Sequence, residues 1–434
     1  MGSFGSEVVV PLLLLVRPAR AEEIVSKPGW FSDRARMPDL EHKVSGSFPD
    51  ALPLIAYDTN TGLGAGVGAH LTLNGDREDP LFAYTPYRHR IYAQAFATTG
   101  GYQQHIVSYD GVAIGGMPLR LKAALTYERN TNANYFGNGE STLGPLAFGG
   151  RTFGSYDAAT AAAGSRYFHY GVEKPQGQIV LERSFLGSSL RTHYGVNVQR
   201  VDITRYDSRA EFSPGTKLGI DCASGAALGC DGGWNNTLRS GIAWDTRDYE
   251  PDPHSGVLVD ATGQWSARGF GSIADYVRLT MAARAYVSPA PDLVIATRVL
   301  YSVQSANVPF FAMDTLGMAA GTDDATDQSG LGGERTLRGF RQDRFVGHVA
   351  TAANAELRWT FTRFSALNQR FSLQIAPLLD AGQVFDKVDF AFTDWKVAGG
   401  AGLRVGWNQS TIVMFDFAAS KEDTGFYVDF GMPF

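Results

Sequence analysis

Apolar and polar residues alternate with period two along most of this chain. Near the C-terminus, Phe426, Val428, Phe430, Met432 and Phe434 alternate with Tyr427, Asp429, Gly431 and Pro433. In 371–380, Phe371, Leu373, Ile375 and Leu379 oppose Ser372, Gln374 and Asp380. In 349–361, Val349, Leu357, Trp359 and Phe361 oppose Asn354, Glu356 and Arg358. In 276–287, Val277, Leu279, Met281 and Val287 oppose Tyr276, Arg278 and Arg284. A strand turns successive side chains to opposite faces, so each set shares one face. Charges recurring opposite an apolar stripe suit a sheet whose apolar face meets lipid and whose polar face lines a lumen. A soluble sandwich would turn its apolar face inward instead.

The alternation predicts about sixteen strands, an even number as bacterial barrels require. They fall near 51–58, 62–73, 88–99, 101–114, 119–130, 175–185, 189–206, 237–246, 256–267, 274–287, 292–306, 348–361, 371–383, 396–407, 410–419 and 425–434. Connection lengths agree. Gly115-Gly116-Met117-Pro118, Leu186-Gly187-Ser188, Ser288-Pro289-Ala290-Pro291 and Asn408-Gln409 are tight turns by residue type and share one parity. The long connections near 131–174, 207–236, 307–347 and 384–395 take the other. Short periplasmic turns alternating with long external loops are the habit of outer-membrane barrels. The expected fold is therefore all-β: a transmembrane antiparallel β-barrel of about sixteen strands.

Composition narrows the choice. The 434 residues are 44% hydrophobic and 19% charged, and the net charge is −6. Such apolar content excludes a disordered chain. The longest near-apolar stretch, Val8–Val16, is too short to span a bilayer as a helix. A negative net charge gives no reason to expect nucleic acid. Val8–Val16, followed by Ala19-Arg20-Ala21, reads as a secretory signal peptide over residues 1–21. Residues 22–50 read as a short periplasmic tail and 51–434 as the barrel. Export would let Cys222 and Cys230 close a small disulfide loop; two unpaired thiols are the other reading.

Site chemistry points away from catalysis. No Gly-x-Ser-x-Gly occurs and the eight histidines are scattered, so no enzyme, cofactor or metal site is expected. Asp323, Asp324 and Asp327 lack a glycine-turn ligand loop and read as solvated. Gly62, Gly64, Gly66 and Gly68 recur every two residues, on one face of a strand and not at a helix start. An inserted loop is expected to pack on that face.

Leu337-Arg338-Gly339-Phe340, in the long 307–347 connection, resembles the Val-Arg-Gly-Phe/Tyr motif of the bacterial surface antigen barrels. That family includes the BamA and TamA assembly proteins and the two-partner secretion transporters. Trp244-Asp245-Thr246-Arg247-Asp248, Asn134-Tyr135-Phe136-Gly137-Asn138-Gly139 and Leu379-Asp380-Ala381-Gly382-Gln383-Val384-Phe385 are similar to further family segments. The resemblance covers about residues 51–434. It implies that the 307–347 loop folds into the lumen, where Arg338 meets Asp380 and Glu356. Leu337 stands where the family has valine. The resemblance also makes the terminal aromatic Phe434 a signal for membrane insertion.

Pro53 in the first strand cannot donate a ladder hydrogen bond, and the last strand ends in Met432-Pro433-Phe434. Their seam, with Pro53, Phe430 and Phe434, is expected to be the weakest pairing of the sheet. In the assembly proteins such a seam is a lateral gate. The resemblance therefore implies outer-membrane protein assembly or translocation, in contact with membrane lipid, client proteins and a periplasmic partner. That partner would stand in for the POTRA repeats of the family, which this sequence does not show. A passive channel or structural surface protein is the alternative.

Overall fold

The computed structural model describes residues 7–9 and 45–434, except 59–61, 80, 83, 84, 86, 188, 208–214, 249, 251, 318–327, 367, 368, 389, 390, 392, 408–410 and 431–433. Sixteen long strands carry it: β1 Ser47–Asp58, β2 Gly62–Leu73, β3 His89–Thr98, β4 Gln103–Val112, β5 Leu119–Asn134, β6 His169–Phe185, β7 Leu190–Thr204, β8 Thr237–Asp245, β9 Gly256–Ser266, β10 Tyr276–Ala290, β11 Leu293–Gln304, β12 Val349–Ala366, β13 Gln369–Phe385, β14 Lys396–Trp407, β15 Thr411–Ala419 and β16 Thr424–Phe430. Each pairs antiparallel with the next from β1 to β16. Every one overlaps a segment expected from the alternation. Asp323, Asp324 and Asp327 lie outside the described residues, as do 10–44.

Burial follows the period, but inverted relative to a soluble protein. On β10, Tyr276, Arg278, Thr280, Ala282, Arg284 and Tyr286 are buried, whereas Val277, Leu279, Met281 and Val287 are exposed. On β12, Asn354, Glu356 and Arg358 are buried and Leu357, Trp359 and Phe361 exposed. Val349 keeps the parity of Leu357, with no register shift between them, yet it is buried.

Two regions carry most of the non-sheet structure. Outside the sheet ends, the β5–β6 connection forms a hairpin, Leu146–Phe148 with Arg151–Phe153, and the helix α1 Tyr156–Ala163. The β7–β8 connection forms α2 Lys217–Ser224, capped by the Thr216 side chain on Gly219 N–H. A disulfide joins Cys222 to Cys230 there. Leu218 of α2 and the two cysteines share an apolar cluster with Tyr135, Tyr170, Phe310 and Phe311, whereas the hairpin and α1 share another with Phe136, Tyr167 and Phe168. The second region is the 305–348 connection itself, which lies against the charged face of the sheet.

Two expectations are corrected. Among the described residues, no loop packs on the glycine face of β2. The Phe96 and Tyr92 side chains of neighbouring β3 lie over Gly64, Gly66 and Gly68, where a Cβ would collide with them. A phenyl ring from the adjacent strand needs that space on the pleat. Phe434 likewise does not sit on the apolar face or at the seam. Among the described residues the β15–β16 ladder runs to Phe430. The Phe434 ring instead lies 5.0 Å from the Arg298 guanidinium on β11 and 5.4 Å from that of Arg358 on β12.

Pro53 pairs opposite Val67 on β2, and Phe430 opposite Val413 on β15. On the outer edge of β1, Glu7, Val8 and Val9 pair with Ala56, Ile55 and Leu54. The same short strand lies beside β16. Among the described residues, β1 and β16 share no ladder. Val428 on β16 is fully buried at this edge, unlike the exposed Phe426.

Candidate functional site: an arginine held by three carboxylates

The loop that carries the site is folded by its own small-residue chemistry. Thr336 accepts from Gly332 N–H through its hydroxyl and donates to the carbonyls of Gly330 and Gly332. Leu331, Leu337, Phe340 and Phe345 bury their side chains against Leu300, Val384 and Ala398 of the sheet. The Phe340 and Phe345 rings meet edge to face at 5.1 Å. Leu337 is fully buried, so the position tolerates leucine in place of valine by packing alone.

This anchoring aims Arg338 at three strands. Its Nε and Nη2 donate to Asp380 Oδ2 and Oδ1 on β13 at 2.7 and 2.9 Å, a bidentate pair. Its Nη1 donates to Glu356 Oε1 on β12 at 2.6 Å and to Asp416 Oδ2 on β15 at 2.7 Å. The Arg338 backbone N–H donates to Asp380 Oδ2 at 3.1 Å. Burial opposes the guanidinium charge. The Asp380, Glu356 and Asp416 carboxylates outweigh it and hold Arg338 well above the ordinary arginine range.

The acids are shared with two more arginines. Arg404 Nη2 donates to Glu356 Oε1 at 3.0 Å, and its Nη1 to Asp416 Oδ1. Arg358 Nε donates to Glu356 Oε2 at 2.8 Å. Arg338, Arg358 and Arg404 thus face Glu356, Asp380 and Asp416, and the formal charges balance. Asn354 completes the shell by donating to Asp380 Oδ1 at 2.7 Å and to the Thr336 carbonyl at 2.6 Å.

Two glycines make the approach close enough. Gly339 has φ +87°, a conformation that favours glycine, and a Cβ there would press on the Ala419 backbone at 3.0 Å. A Cβ on Gly402 would occupy the place of the Arg404–Asp416 contact. Gly339 N–H donates to the Tyr427 hydroxyl on β16 at 3.0 Å, and that hydroxyl donates to the Phe340 carbonyl at 3.5 Å. Farther out, Arg344 donates to Glu422 in the β15–β16 turn at 2.6 and 3.0 Å and to the Gly144 carbonyl at 2.9 Å.

The structure thus brings Leu337, Arg338, Gly339, Phe340, Asp380 and Glu356 together. It leaves Pro53, Phe430 and Phe434 apart from them. Phe434 touches the margin of the network, where its carbonyl accepts from Arg358 Nη2 at 3.3 Å. The alternation along 349–361, 396–407, 410–419 and 425–434 puts Asn354, Arg404, Asp416 and Tyr427 on the charged face, but nothing local puts them in the site. Arg344 and Glu422 carry no such signal. A second charged cluster lies near the shorter turns: Arg191 pairs with Glu182 and Asp245, and Arg120 with Asp110. In the loop itself, burial and the neighbouring Asp314 carboxylate push Asp343 up to about 7.

An apolar outer face, a charged inner face and a long loop clamped to that inner face define an outer-membrane β-barrel. The chain belongs to the Omp85 superfamily, whose domain matches residues 114–434. It is accordingly a protein of the bacterial outer membrane. A domain of unknown function, DUF5982, matches residues 27–88 and so takes in β1 and β2. The fold is similar to BamA from Haemophilus ducreyi lacking POTRA domains 1-3, with TM-score 0.51 and 13% identity over 90% of this chain and 69% of that one. It is similar to CdiB from Escherichia coli, with TM-score 0.51 and 9% identity over 90% of this chain and 63% of that one. This chain therefore spans a little under two thirds of the CdiB chain. At these identities both likenesses speak for the fold alone. A comparison with curated proteins found no match.

Proposed function

We propose that this protein inserts or translocates other proteins at the outer membrane, through a sixteen-stranded barrel that opens between β1 and β16. In this reading residues 1–21 are a signal peptide that is removed, residues 22–50 lie in the periplasm, and a periplasmic partner delivers the client. The observation that carries the proposal is the outer edge of β1. Leu54, Ile55 and Ala56 pair with Glu7–Val9, within the segment expected to be cleaved, and not with β16. Cleavage leaves those backbone groups unpaired beside the last strand. An unpaired strand edge is a template for another strand. Superfamily membership, the assembly and transport character of that superfamily and the loop clamped around Arg338 support the same reading.

Depletion in the native host is the test. Lowered levels of other outer-membrane or secreted proteins are expected within a few generations. An unchanged protein profile, together with a steady conductance in planar bilayers whose ion selectivity shifts on changing Arg284 or Arg404, would replace this reading with that of a passive channel.

A further inference from the structure

A small cavity of about 10 Å³ lies where the end of β5 meets both ends of the 305–348 connection. That is room for about one water or one bare cation. Asn134, Asn138, Tyr170, Asp314 and Asp343 line it with oxygen-bearing side chains. Three of those oxygens are buried and have no hydrogen-bond partner among the described residues: Asn134 Oδ1, Asn138 Oδ1 and Asp314 Oδ1. Asn134 is only 8% exposed. Its amide orientation is set on the other side, because Nδ2 donates to the Gln342 carbonyl at 3.0 Å, which leaves Oδ1 as the unsatisfied end. Asn138 is oriented the same way, with Nδ2 donating to the Ala226 carbonyl at 3.4 Å.

Unsatisfied buried acceptors are costly, and several sharing one cavity call for a common partner. A hydroxyl from Tyr170 reaches Asp314 Oδ2 only at 3.4 Å. Asp343 Oδ1 accepts from Gly330 N–H and Gln342 Nε2, both at 3.0 Å. Asp314 and Asp343 repel one another, Glu128 adds to the negative charge on Asp314, and Lys174 and Arg278 oppose it. Among the described residues, no three His, Cys, Asp or Glu are placed to hold a metal ion by themselves. The oxygens here are instead two carboxylates with two amide carbonyls and a phenol. Such a mixed, all-oxygen set suits calcium, which accepts carboxylate and Asn carbonyl ligands in flexible geometry, better than magnesium, which holds several waters in a strict octahedron.

We propose that this cavity binds one calcium-sized divalent cation, which ties Asp314 and Asp343, at the two ends of the loop that carries Arg338, to Asn134 at the end of β5. Asn134 and Asn138 belong to the Asn134–Gly139 segment singled out in the sequence, and the cation gives that segment a chemical task. The proposal is independent of the β1–β16 opening.

Terbium replaces calcium at such sites and emits when a nearby tyrosine is excited, and both Tyr135 and Tyr170 line the cavity. The full chain is purified in detergent, stripped with a chelator and titrated with terbium chloride. Emission should saturate, fall when calcium chloride is added, and resist the same concentration of magnesium chloride. Apparent affinity should drop at least tenfold in the Asp314→Asn, Asp343→Asn double variant, and also in Asn134→Ala. A second measurement needs no variant: the wild-type unfolding temperature should be higher in calcium chloride than in chelator. Emission that does not saturate, that is indifferent to calcium, that yields equally to magnesium, or that is unchanged in the folded variants overturns the proposal. So does an unfolding temperature that ignores calcium.

Discussion

Replacing Arg338 by methionine, which keeps most of the volume and removes the charge, isolates the clamp. The side chain is 1% exposed and makes four hydrogen bonds to three buried carboxylates. Its loss does not affect the acids equally. Glu356 keeps Arg358 and Arg404, and Asp416 keeps Arg404. Asp380 keeps the Asn354 amide and the backbone N–H of residue 338 as hydrogen-bond donors but no cation, and the cluster is left with one unbalanced negative charge. Removing one partner of a buried ion pair costs about 3–5 kcal/mol, mostly because the other charge stays buried. The expected loss is in that range, read by urea unfolding of the detergent-folded protein and by heat-dependent mobility on gels. Adding Asp380→Asn removes the stranded charge, so the double variant should be more stable than the sum of the two single losses by at least ~1 kcal/mol. Arg338→Lys should fall between, because a point ammonium cannot reproduce the planar fork. An Arg338→Met protein within ~0.5 kcal/mol of wild type, the level of an ordinary surface substitution, would refute the clamp.

Gly402→Ala should destabilise by about 1–3 kcal/mol through overpacking against the Arg404–Asp416 contact, measured by the same unfolding assay. Gly339→Ala should cost more than an alanine elsewhere in the loop, since it adds strain at φ +87° to a backbone clash with Ala419. Cys222→Ser should open a closed loop worth ~2–3 kcal/mol of chain entropy, and limited proteolysis should find new cleavage near α2 while the sheet stays resistant. Phe434→Ala removes a ring shared by two buried arginines and should lower stability by ~1–2 kcal/mol.

What the sequence discloses here is set by the range of the interaction. Period two is local, so Arg278, Arg284 and Glu356 could be assigned to the inner face from their neighbours alone. The Arg338–Asp380 contact became legible only through resemblance, because 42 positions separate the two residues. Asp416 and Arg404 were legible as inner-face charges. Their place beside Arg338 depends on the β12–β15 registers, which no local pattern encodes. The glycine face of β2 was visible too, but the residue that fills it, Phe96, lies one strand away. Phe434 failed for a different reason: the alternation was extended to the last residue, whose ring lies instead beside Arg298 and Arg358 on distant strands.

Arg341 and Arg344 tie the loop to Asp423 and Glu422 in the turn before β16, but within β16 the clamp is met by the Tyr427 hydroxyl, and this bears on how the barrel opens. Arg338 holds the loop to β12, β13 and β15, but the loop reaches β16 through Tyr427, which accepts from Gly339 N–H and donates to the Phe340 carbonyl. If β16 is the strand that moves, it can leave the sheet edge only after these two bonds break, while the Arg338 cluster remains whole. Tyr427→Phe keeps the ring and removes the link, and the buried Gly339 N–H loses its partner, a cost of about 1–3 kcal/mol. The expected signature is selective. Hydrogen exchange should quicken in β16 and in Gly339–Phe340 while β12 and β13 keep wild-type protection, and overall unfolding should shift less than in Arg338→Met. Uniform loosening of β12 through β16 in the tyrosine variant would mean that the loop and the last strand move as one body, and that the hydroxyl is not the point of release.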